Sequence, residues 1–297
     1  MPVVSVTQKA HAKVNLCLRV VNKRNDGYHN IESLVMPIDL SDKITVTTTD
    51  DSKISISCNG YSELETDDNL CVKAARWFYD RADVKTENQG IKIELEKNIP
   101  VAAGLGGGSS DAACILRILQ QIHSSPLEEN TLKMESWRLG ADIPVCFDSK
   151  SRWISGVGEV LGEVVEIEKL WILLLNPGYE VSTSLVYESY NKNLDSARLT
   201  NTCNSGRKSQ RNFDCASVKE LLYNDLESVT LQQYPDLLKM EEVLRDSDAE
   251  GVLMTGSGPT LFAIFNDEQG AYVTKQQLEL RFPDWGIWLT SNFLTED

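Results

Sequence analysis

The sequence predicts an α+β fold built from two domains, and three observations lead to that prediction. The chain has 297 residues, enough for one large domain or two of medium size with ample core. A strand pattern, a glycine-rich segment and a helical pattern follow one another between residues 91 and 122. The second half of the chain orders its strands and helices as a split β-α-β arrangement does. We expect the first domain to span residues 1–167 and the second to span residues 168–297.

Composition and charge narrow the classes of protein. Charged residues make up 25% of the chain and hydrophobic residues 41%, which is ordinary for a globular protein. The formal net charge of −15 argues against binding to nucleic acid or to an anionic membrane, since both need a basic surface. No apolar run reaches the length of a membrane span, and we expect no secretory signal in the first residues.

The cysteine content indicates a reducing environment. Seven cysteines are present, an odd number, and no two of them form a C-x-x-C pair. We therefore expect reduced thiols and a cytosol-like compartment.

A glycine-rich segment between a predicted strand and a predicted helix is the clearest sign of a binding site. The strand is Ile91–Glu96, where apolar and charged residues alternate, and the helix carries apolar side chains at helical spacing up to Ile122. Glycines let backbone N–H groups approach an oxyanion closely, and a helix N-terminus adds partial positive charge. The segment is therefore predicted to bind phosphate, and its residues are Pro100, Val101, Ala102, Ala103, Gly104, Leu105, Gly106, Gly107, Gly108, Ser109 and Ser110.

The segment differs from two common nucleotide-binding patterns. It lacks the lysine of the P-loop pattern G-x-x-x-x-G-K-[ST], and its glycines form only an incomplete dinucleotide fingerprint. The strand pattern before it does not complete a β-α-β unit. A plain glycine-rich connector is the alternative, but four glycines and two serines directly before a helix favour phosphate binding.

The first predicted strand carries polar residues on one face. Residues 13–20 alternate between polar and apolar side chains. We expect one face to hold Val14, Leu16, Leu18 and Val20, and the other to hold Lys13, Asn15, Cys17 and Arg19. Lys13 and Asn15 would then point the same way, and solvated residues on an edge strand are the alternative interpretation.

Two short motifs lie in predicted turns. Asp26-Gly27 is a turn signal directly before Tyr28 and His29. Taken alone, Tyr28 would be interpreted as a packing residue and His29 as a surface residue. Asp142 lies in the segment GADIPV, between a glycine that ends a helix and a proline. A carboxylate held there among apolar groups suits a general base, and an ordinary turn or capping residue is the alternative.

The remaining patterns predict the other elements. Asp67 to Leu70 caps a helix that runs to about Asp80, and Ser217 to Glu220 reads as a capping box. Further predictions are strands over 42–50, 53–58, 164–167, 171–175 and 285–293, and two strands joined by a glycine turn over 252–265. Helices are predicted over 126–139, 183–194, 217–230, 235–246 and 268–282, and a mobile polar loop over 196–214. The second half thus has the element order of a ferredoxin-like domain with extra helices.

These segments together resemble the GHMP kinases, a family that includes galactokinase and the homoserine, mevalonate and phosphomevalonate kinases. The glycine segment is similar to the ATP loop of the family, and AKVNL, DGYH, GADIPV and MTGSGPT are similar to further family segments. DGYH is typical of a branch that phosphorylates the 2-hydroxyl of a cytidylyl alcohol in isoprenoid precursor synthesis. The resemblance implies a two-domain GHMP kinase fold, a ferredoxin-like second domain, ATP as co-substrate and Mg²⁺.

The resemblance also implies roles for individual residues. Asp142 would take the proton of the acceptor hydroxyl, and Lys13 would lie beside it and stabilise charge on the transferring group. Tyr28 would stack on the cytosine and His29 would hydrogen-bond it. Asn69 and Lys97 would lie near the adenine of ATP. The residues implied to bind the acceptor are Asn15, Tyr28, His29, Thr183, Tyr187, Gly256, Ser257 and Gly258.

Two positions depart from the family pattern. Tyr187 stands where the family has a second stacking phenylalanine, and Ser184 stands where it has a proline. Tyrosine can still stack on a base, so the role carries over to Tyr187. Gly256 and Gly258 would pack near the phosphates, with an ordinary hairpin turn as the alternative. Mg²⁺ would be held mainly by ATP oxygens and waters, and the sequence names no protein ligand for it.

Two other functions stay open at this point. One is a GHMP kinase that acts on a different small alcohol, which the cytidylyl motif DGYH disfavours. The other is a non-catalytic ligand-binding protein on the same scaffold, which the presence of both Lys13 and Asp142 disfavours. The partners expected are ATP and the cytidylyl alcohol, with no nucleic acid and no membrane, in a monomer or a homodimer. The bacterial cytoplasm is the expected location, or a plastid if a transit peptide was removed.

Overall fold

The structure is a computed structural model that describes residues 3–82, 90–124, 126–194 and 210–295. In those ranges the strands β1 to β13 are Ser5–Lys23, His29–Thr49, Ile54–Asn59, Gly90–Glu96, Arg152–Gly156, Val160–Val164, Glu166–Ile167, Trp171–Asn176, Asn212–Phe213, Tyr223–Asn224, Gly251–Met254, Leu261–Phe265 and Gly286–Ser291. The helices α1 to α8 are Leu70–Ala82, Gly107–Ile122, Glu129–Glu135, Thr183–Leu194, Cys215–Leu221, Glu227–Gln233, Asp236–Arg245 and Glu268–Arg281. The predicted α+β class is confirmed.

A seven-stranded sheet dominates the first half of the chain. Its order is β10-β1-β2-β4-β3, and β5 pairs with both β2 and β6. The long strands β1 and β2 form an antiparallel pair. In β4 the alternation places Ile91, Ile93 and Leu95 in the core and the charged residues outside, as the sequence predicts.

Helices α1 and α2 pack together with this sheet. Phe78 of α1, Ile115 and Leu119 of α2 and Ile93 of β4 belong to one cluster of buried hydrophobic side chains. Most of α2 is buried, because its apolar residues are not confined to a narrow stripe. This packing fixes the start of α2, and with it the glycine segment, relative to the sheet.

An irregularity in β1 changes which of its side chains share a face. The pairing with β2 shifts between Asn15 and Cys17, as it does at a β-bulge. Cys17 therefore lies in the same core cluster as Val14 and Leu16, whereas Leu18 and Val20 lie in the other cluster. The prediction of one face for Val14, Leu16, Leu18 and Val20 is wrong beyond residue 16, because the extra residue inverts the alternation.

The second half contains a four-stranded sheet in the order β11-β12-β8-β13. Every neighbouring pair in it is antiparallel. In chain order, the first strand of this sheet, β8, lies between its third strand, β12, and its last, β13. That order is the split β-α-β arrangement, so the predicted ferredoxin-like second domain is confirmed.

Two predicted helices have different bounds in the structure. The pattern over 217–230 forms two helices, α5 and α6, separated by the short strand β10. Asp214 caps α5 by accepting a hydrogen bond from Ser217 N at 2.8 Å, so the predicted capping box is wrong. The helix predicted over 126–139 begins at Glu129 and continues as a 3-10 helix from Ser136. The break at β10 reflects its pairing with β1, a partner more than two hundred residues away in the sequence.

The segments around residue 165 and residue 212 also differ from the prediction. The strand expected over 164–167 is divided between β6 and β7. Residues 196–209 of the predicted loop lie outside the described residues. The rest of that loop includes β9, which pairs in parallel with β7.

The two halves of the chain are joined through β10. β10 comes after the predicted domain boundary in the sequence, yet it extends the sheet of the first half by pairing with β1 at Cys17 and Leu18. One buried hydrophobic cluster also takes residues from both halves, such as Ile93 and Met254. The boundary between residues 167 and 168 stays a prediction. Within the described ranges, no helix combines the length and apolarity needed to cross a bilayer.

Candidate active site

The glycine segment forms a tight loop between β4 and α2. Gly104 and Gly106 both have positive φ angles, +76° and +69°. A Cβ atom on Gly104 would lie 2.7 Å from the backbone oxygen of Thr255 and 2.9 Å from that of Gly258. Only glycine therefore fits at residue 104, where the loop touches a turn from the other half of the chain.

The start of α2 presents backbone N–H groups without a side-chain cap. Gly106 is the N-cap residue, and no side chain accepts a hydrogen bond there. The first N–H groups of a helix have no partner within the helix, and the helix dipole adds partial positive charge to them. The loop and helix start therefore have the geometry expected of a phosphate site.

Lys13 of β1 lies against this loop. Its backbone nitrogen donates to Leu105 O at 2.9 Å, and a Cβ on Gly106 would lie 2.9 Å from its Cε. Its ammonium nitrogen, Nζ, donates to Asn15 Oδ1 at 2.7 Å and lies 3.3 Å from Asp142 Oδ2. Lys13 is only 6% exposed, so the ammonium is held among these groups rather than solvated at an edge.

Asp142 lies in a short turn before the 3-10 helix Pro144–Cys146. Its side chain is 33% exposed, so one side of the carboxylate is open while the other contacts Lys13. The turn that joins β5 to β6 lies close to it, since a Cβ on Gly158 would be 3.4 Å from Asp142 Oδ1. Burial raises the pKa of the nearby thiol of Cys146 to about 12, so that thiol stays neutral and is not a competing nucleophile.

Asn15 connects this pair to the second half of the chain. Its amide nitrogen donates to Ser33 Oγ at 2.8 Å, and its backbone nitrogen donates to Thr255 Oγ1 at 3.0 Å. Thr255 Oγ1 also lies 3.4 Å from Gly104 O, within reach of a hydrogen bond. The predicted residues Lys13, Asn15 and Asp142 are thus together, and Ser33 and Thr255 support them without having been predicted.

The predicted base-binding residues occupy two positions. His29 is 9% exposed and stacks on Tyr187, with ring centroids 4.7 Å apart and planes inclined by 23°. His29 Nε2 lies 2.9 Å from Asn191 Oδ1, a partner that the sequence analysis missed. Tyr28 is 63% exposed, so its ring is free to meet a ligand. Burial raises the pKa of Tyr187, which therefore keeps its proton.

The turn between β11 and β12 closes the site from the second half. Gly256 and Gly258 adopt positive φ angles of +59° and +88°. Ser257 Oγ lies 2.8 Å from Thr183 Oγ1 at the start of α4, which joins two residues that the resemblance implies for the acceptor. The turn and the helix start therefore form one surface.

The two residues implied for the adenine have structural partners. Asn69 caps α1, accepting a hydrogen bond from Cys71 N at 2.9 Å. Lys97 is buried between Asp42 and Asp111, lying 2.9 Å from Asp111 Oδ2 and closer to Asp42. Burial acts to lower the pKa of Lys97, but the two carboxylates outweigh it and the pKa lies above its usual value. The assignment of both residues to ATP stays a prediction.

Comparisons with known proteins identify the family of this chain. The family model for the GHMP kinases N terminal domain matches residues 69–150, and the model for the GHMP kinases C terminal matches residues 210–284. The fold and the site therefore define an ATP-dependent kinase of the GHMP class.

The relatives narrow this class further. A 4-diphosphocytidyl-2-C-methyl-D-erythritol kinase of Syntrophotalea carbinolica is 38% identical over 272 residues, and one of Pelobacter propionicus is 39% identical over 274 residues. Each match covers 92% of this chain and 94% of the relative. A crystal structure of 4-(cytidine 5'-diphospho)-2C-methyl-D-erythritol kinase matches with a TM-score of 0.76 and 30% identity, covering 96% of this chain and 98% of the other. This chain belongs to the GHMP kinases and, within them, to the family of 4-diphosphocytidyl-2-C-methyl-D-erythritol kinases.

Proposed function

We propose that this kinase transfers the γ-phosphoryl group of ATP to the 2-hydroxyl of 4-diphosphocytidyl-2-C-methyl-D-erythritol, a step in isoprenoid precursor synthesis. Family membership supports the substrate. The observation that carries the reaction is the Lys13–Asp142 pair, 3.3 Å apart, directly beside the glycine loop.

In the proposed reaction, Asp142 accepts the proton of the acceptor hydroxyl. The hydroxyl oxygen forms a bond to the γ-phosphorus while the bond from that phosphorus to the β–γ bridging oxygen breaks, and ADP leaves. Phosphoryl transfer depends mostly on positioning and on stabilisation of charge. The N–H groups at the start of α2 would hold the phosphates, and the Lys13 ammonium would stabilise charge on the transferring group.

Recognition of the acceptor would use both halves of the chain. Tyr28, exposed at the turn after β1, would stack on the cytosine, and His29 would hydrogen-bond it. Tyr187, which stacks on His29 in the structure, would offer the cytosine a second aromatic face. Asn15 would orient the acceptor beside Asp142. Thr183 and the Gly256–Gly258 turn would bound the other side of the same cleft.

Mg²⁺ is part of this proposal. Among the described residues, no group of three or more His, Cys, Asp or Glu side chains is arranged to hold a metal ion. We expect the ion to be held chiefly by ATP oxygens and water, and we assign it no protein ligand. When bound, the ion supplies positive charge to the phosphates.

The wider setting is also proposed. ATP and the cytidylyl alcohol are the partners we expect, and a cytoplasmic location is favoured by the bacterial relatives, whereas no finding favours a plastid. We retain residues 1–167 and 168–297 as the two domains. For the oligomeric state we retain the expectation of a monomer or a homodimer.

The test is ATP consumption by the purified protein with Mg²⁺ and one alcohol at a time. The proposal predicts turnover with 4-diphosphocytidyl-2-C-methyl-D-erythritol and none with mevalonate, homoserine or galactose. Turnover with one of the other alcohols would keep the ATP site and discard the cytosine site. ATP binding without turnover of any alcohol would favour a non-catalytic ligand-binding protein.

A further inference from the structure

Asn224 lies buried where three segments of the site meet. It is 6% exposed and belongs to β10, at the edge of the first sheet. Its amide nitrogen donates to the backbone oxygens of Met254 and Gly256, both at 2.8 Å. Its amide oxygen accepts from Leu226 N at 2.9 Å. Both donor hydrogens of the amide are therefore used on one short stretch of backbone.

The two carbonyl groups bound by Asn224 flank Thr255. The side chain of Thr255 accepts from Asn15 N at 3.0 Å and lies 3.4 Å from Gly104 O. The backbones of Gly104 and Thr255 are packed closely, because a Cβ atom on Gly104 would lie 2.7 Å from Thr255 O. By fixing the backbone on both sides of Thr255, Asn224 fixes where the turn meets the acceptor strand and the phosphate loop.

The segment that carries Asn224 is itself fastened to β1. Asp225 N donates to Leu18 O at 3.0 Å, and Val20 N donates to Asp225 Oδ2 at 2.7 Å. Leu18 is also paired with Asn224 in the sheet. These contacts begin three residues after Asn15, so the same strand carries the reacting groups and the anchor.

We propose that Asn224 is a positioning residue for phosphoryl transfer. It holds the turn from Thr255 to Gly258 against the glycine loop and Asn15. The γ-phosphate and the acceptor hydroxyl are thereby kept in the relative position that transfer needs. Asn224 acts through the backbone and does not itself touch the substrate. The inference rests on the proposed function, since that function places ATP on the glycine loop and the acceptor beside Asn15.

The test is the steady-state kinetics of Asn224→Asp. This change keeps the size of the side chain but replaces the two donors with an oxygen facing two carbonyl oxygens. We expect kcat to fall by about 10–100-fold, because small misplacements of reacting groups cost rates of that order. The KM for ATP should stay within about threefold, since the start of α2 that holds the phosphates is not bonded to Asn224.

A second variant, Asn224→Ala, covers the case in which Asn224→Asp does not fold. The smaller side chain leaves room for water to hydrogen-bond the two carbonyls. The same division between kcat and the KM for ATP is expected, with a smaller loss of kcat.

Asn292→Asp is a matched control for loss of stability. Asn292 also donates to two backbone oxygens, those of Ile167 and Glu168, and accepts from Leu170 N. None of these partners belongs to the site. Asn292→Asp should therefore lower the melting temperature while leaving kcat close to that of the wild type.

The outcomes separate this inference from the proposed function. If the wild type turns over a different alcohol, the substrate is wrong, and the kcat ratio of the variants measured with that alcohol still tests Asn224. Wild-type kcat in Asn224→Asp and Asn224→Ala, or an equal loss of kcat in Asn292→Asp, would overturn the positioning role. A wild type that turns over no alcohol would overturn both proposals.

Discussion

The candidate site residues are held by contacts between residues far apart in the sequence. Lys13 takes its backbone partner from the glycine loop and its charged partner from the turn at Asp142. Asn15 takes one partner from β2 and another from the turn after β11. Each of these side chains is therefore oriented only when several segments have assembled, which suits a site that depends on positioning.

Gly104→Ala tests how tightly the two glycine turns are packed. The new methyl group would meet the backbone of Thr255 and Gly258 below 3 Å, at a residue whose φ is already +76°. We expect the free energy of unfolding to fall by about 3 kcal/mol, from clash and backbone strain together. Urea denaturation measures it.

Gly178→Ala is the control for that experiment. Gly178 has a similar φ of +84°, but nothing lies within 4 Å of the position its Cβ would take. The strain of a left-handed alanine alone should cost about 1 kcal/mol. Equal losses in the two variants would show that the contact between the turns contributes nothing.

Sequence patterns and the family resemblance selected the candidate residues of the site but not all of their neighbours. The glycine segment carries a local signal, a loop before a helix, whereas Lys13, Asn15 and Asp142 were selected through the family resemblance, and the structure brings these residues together. Asn191 carries no such signal, since an asparagine in a helix is unremarkable until His29 is seen 2.9 Å away. Long-range partners of this kind are set by tertiary packing, which a single sequence does not display.

At the scale of elements, a buried charge cluster ties the glycine loop to the first sheet. Lys97, after β4, contacts Asp42 of β2 and Asp111 in the first turns of α2. Asp42 also accepts hydrogen bonds from the backbone nitrogens of Asn98 and Ile99, at 2.6 and 2.9 Å. The cluster joins sheet and helix directly beneath the phosphate loop.

Lys97→Met tests how much this cluster contributes to the free energy of unfolding. Removing the ammonium leaves two buried carboxyl groups without their shared cation, and breaking a buried pair in this way costs about 3–5 kcal/mol. We expect a loss of that size in urea denaturation. Lys43→Met is the comparison, because Lys43 forms an exposed ion pair with Glu96 on the same sheet, which is worth about 1 kcal/mol at most. Similar losses in the two variants would contradict a structural role for the cluster.

Glu227 gives the junction of α6 and β11 a pH-dependent stability. Its Oε1 accepts from Met254 N at 2.8 Å, and burial raises the pKa of Glu227 to about 7, with Glu241 adding to the rise and Arg245 opposing it. The folded protein therefore keeps this proton between about pH 4.5 and 7 while the unfolded chain loses it. The contribution to stability is full below that window and is lost as the pH rises through it.

Glu227→Gln measures that contribution. The glutamine keeps an oxygen for Met254 N but does not ionise. Relative to the wild type, the variant should gain about 2 kcal/mol of unfolding free energy between pH 5 and pH 8, as judged by urea denaturation at each pH. If the unfolding free energies of the variant and the wild type differ by the same amount at pH 5 and pH 8, Glu227 does not titrate in this window.

The whole molecule places its site where two differently built halves meet. The first half supplies the phosphate loop, Lys13, Asn15 and Asp142, and the second supplies the turn around Gly256, Thr183 and the aromatic face of Tyr187. β10 crosses from one half to the other and completes the first sheet.

The overall architecture was largely predictable, because it depends on repeating patterns. Alternation and helical spacing gave the strands and helices of both halves, and their order gave the ferredoxin-like sheet. Two of the errors lie at the bulge near Leu16 and at β10, where a strand of two residues interrupts a helical pattern. Both features are imposed by pairing with a distant strand and leave no periodic trace in the sequence.

The kinetics of Asp142→Asn test the central claim that Asp142 and Lys13 transfer the phosphoryl group together. With 4-diphosphocytidyl-2-C-methyl-D-erythritol and ATP both saturating, kcat should fall by about 10³-fold, the scale of losing a general base, while ATP binding stays near normal. Asp148→Asn is the control, because Asp148 lies six residues further along the chain and pairs with Lys133 and Arg152 rather than with Lys13. This variant should keep kcat within about threefold of the wild-type value. An Asp142→Asn protein with wild-type kcat would contradict the account.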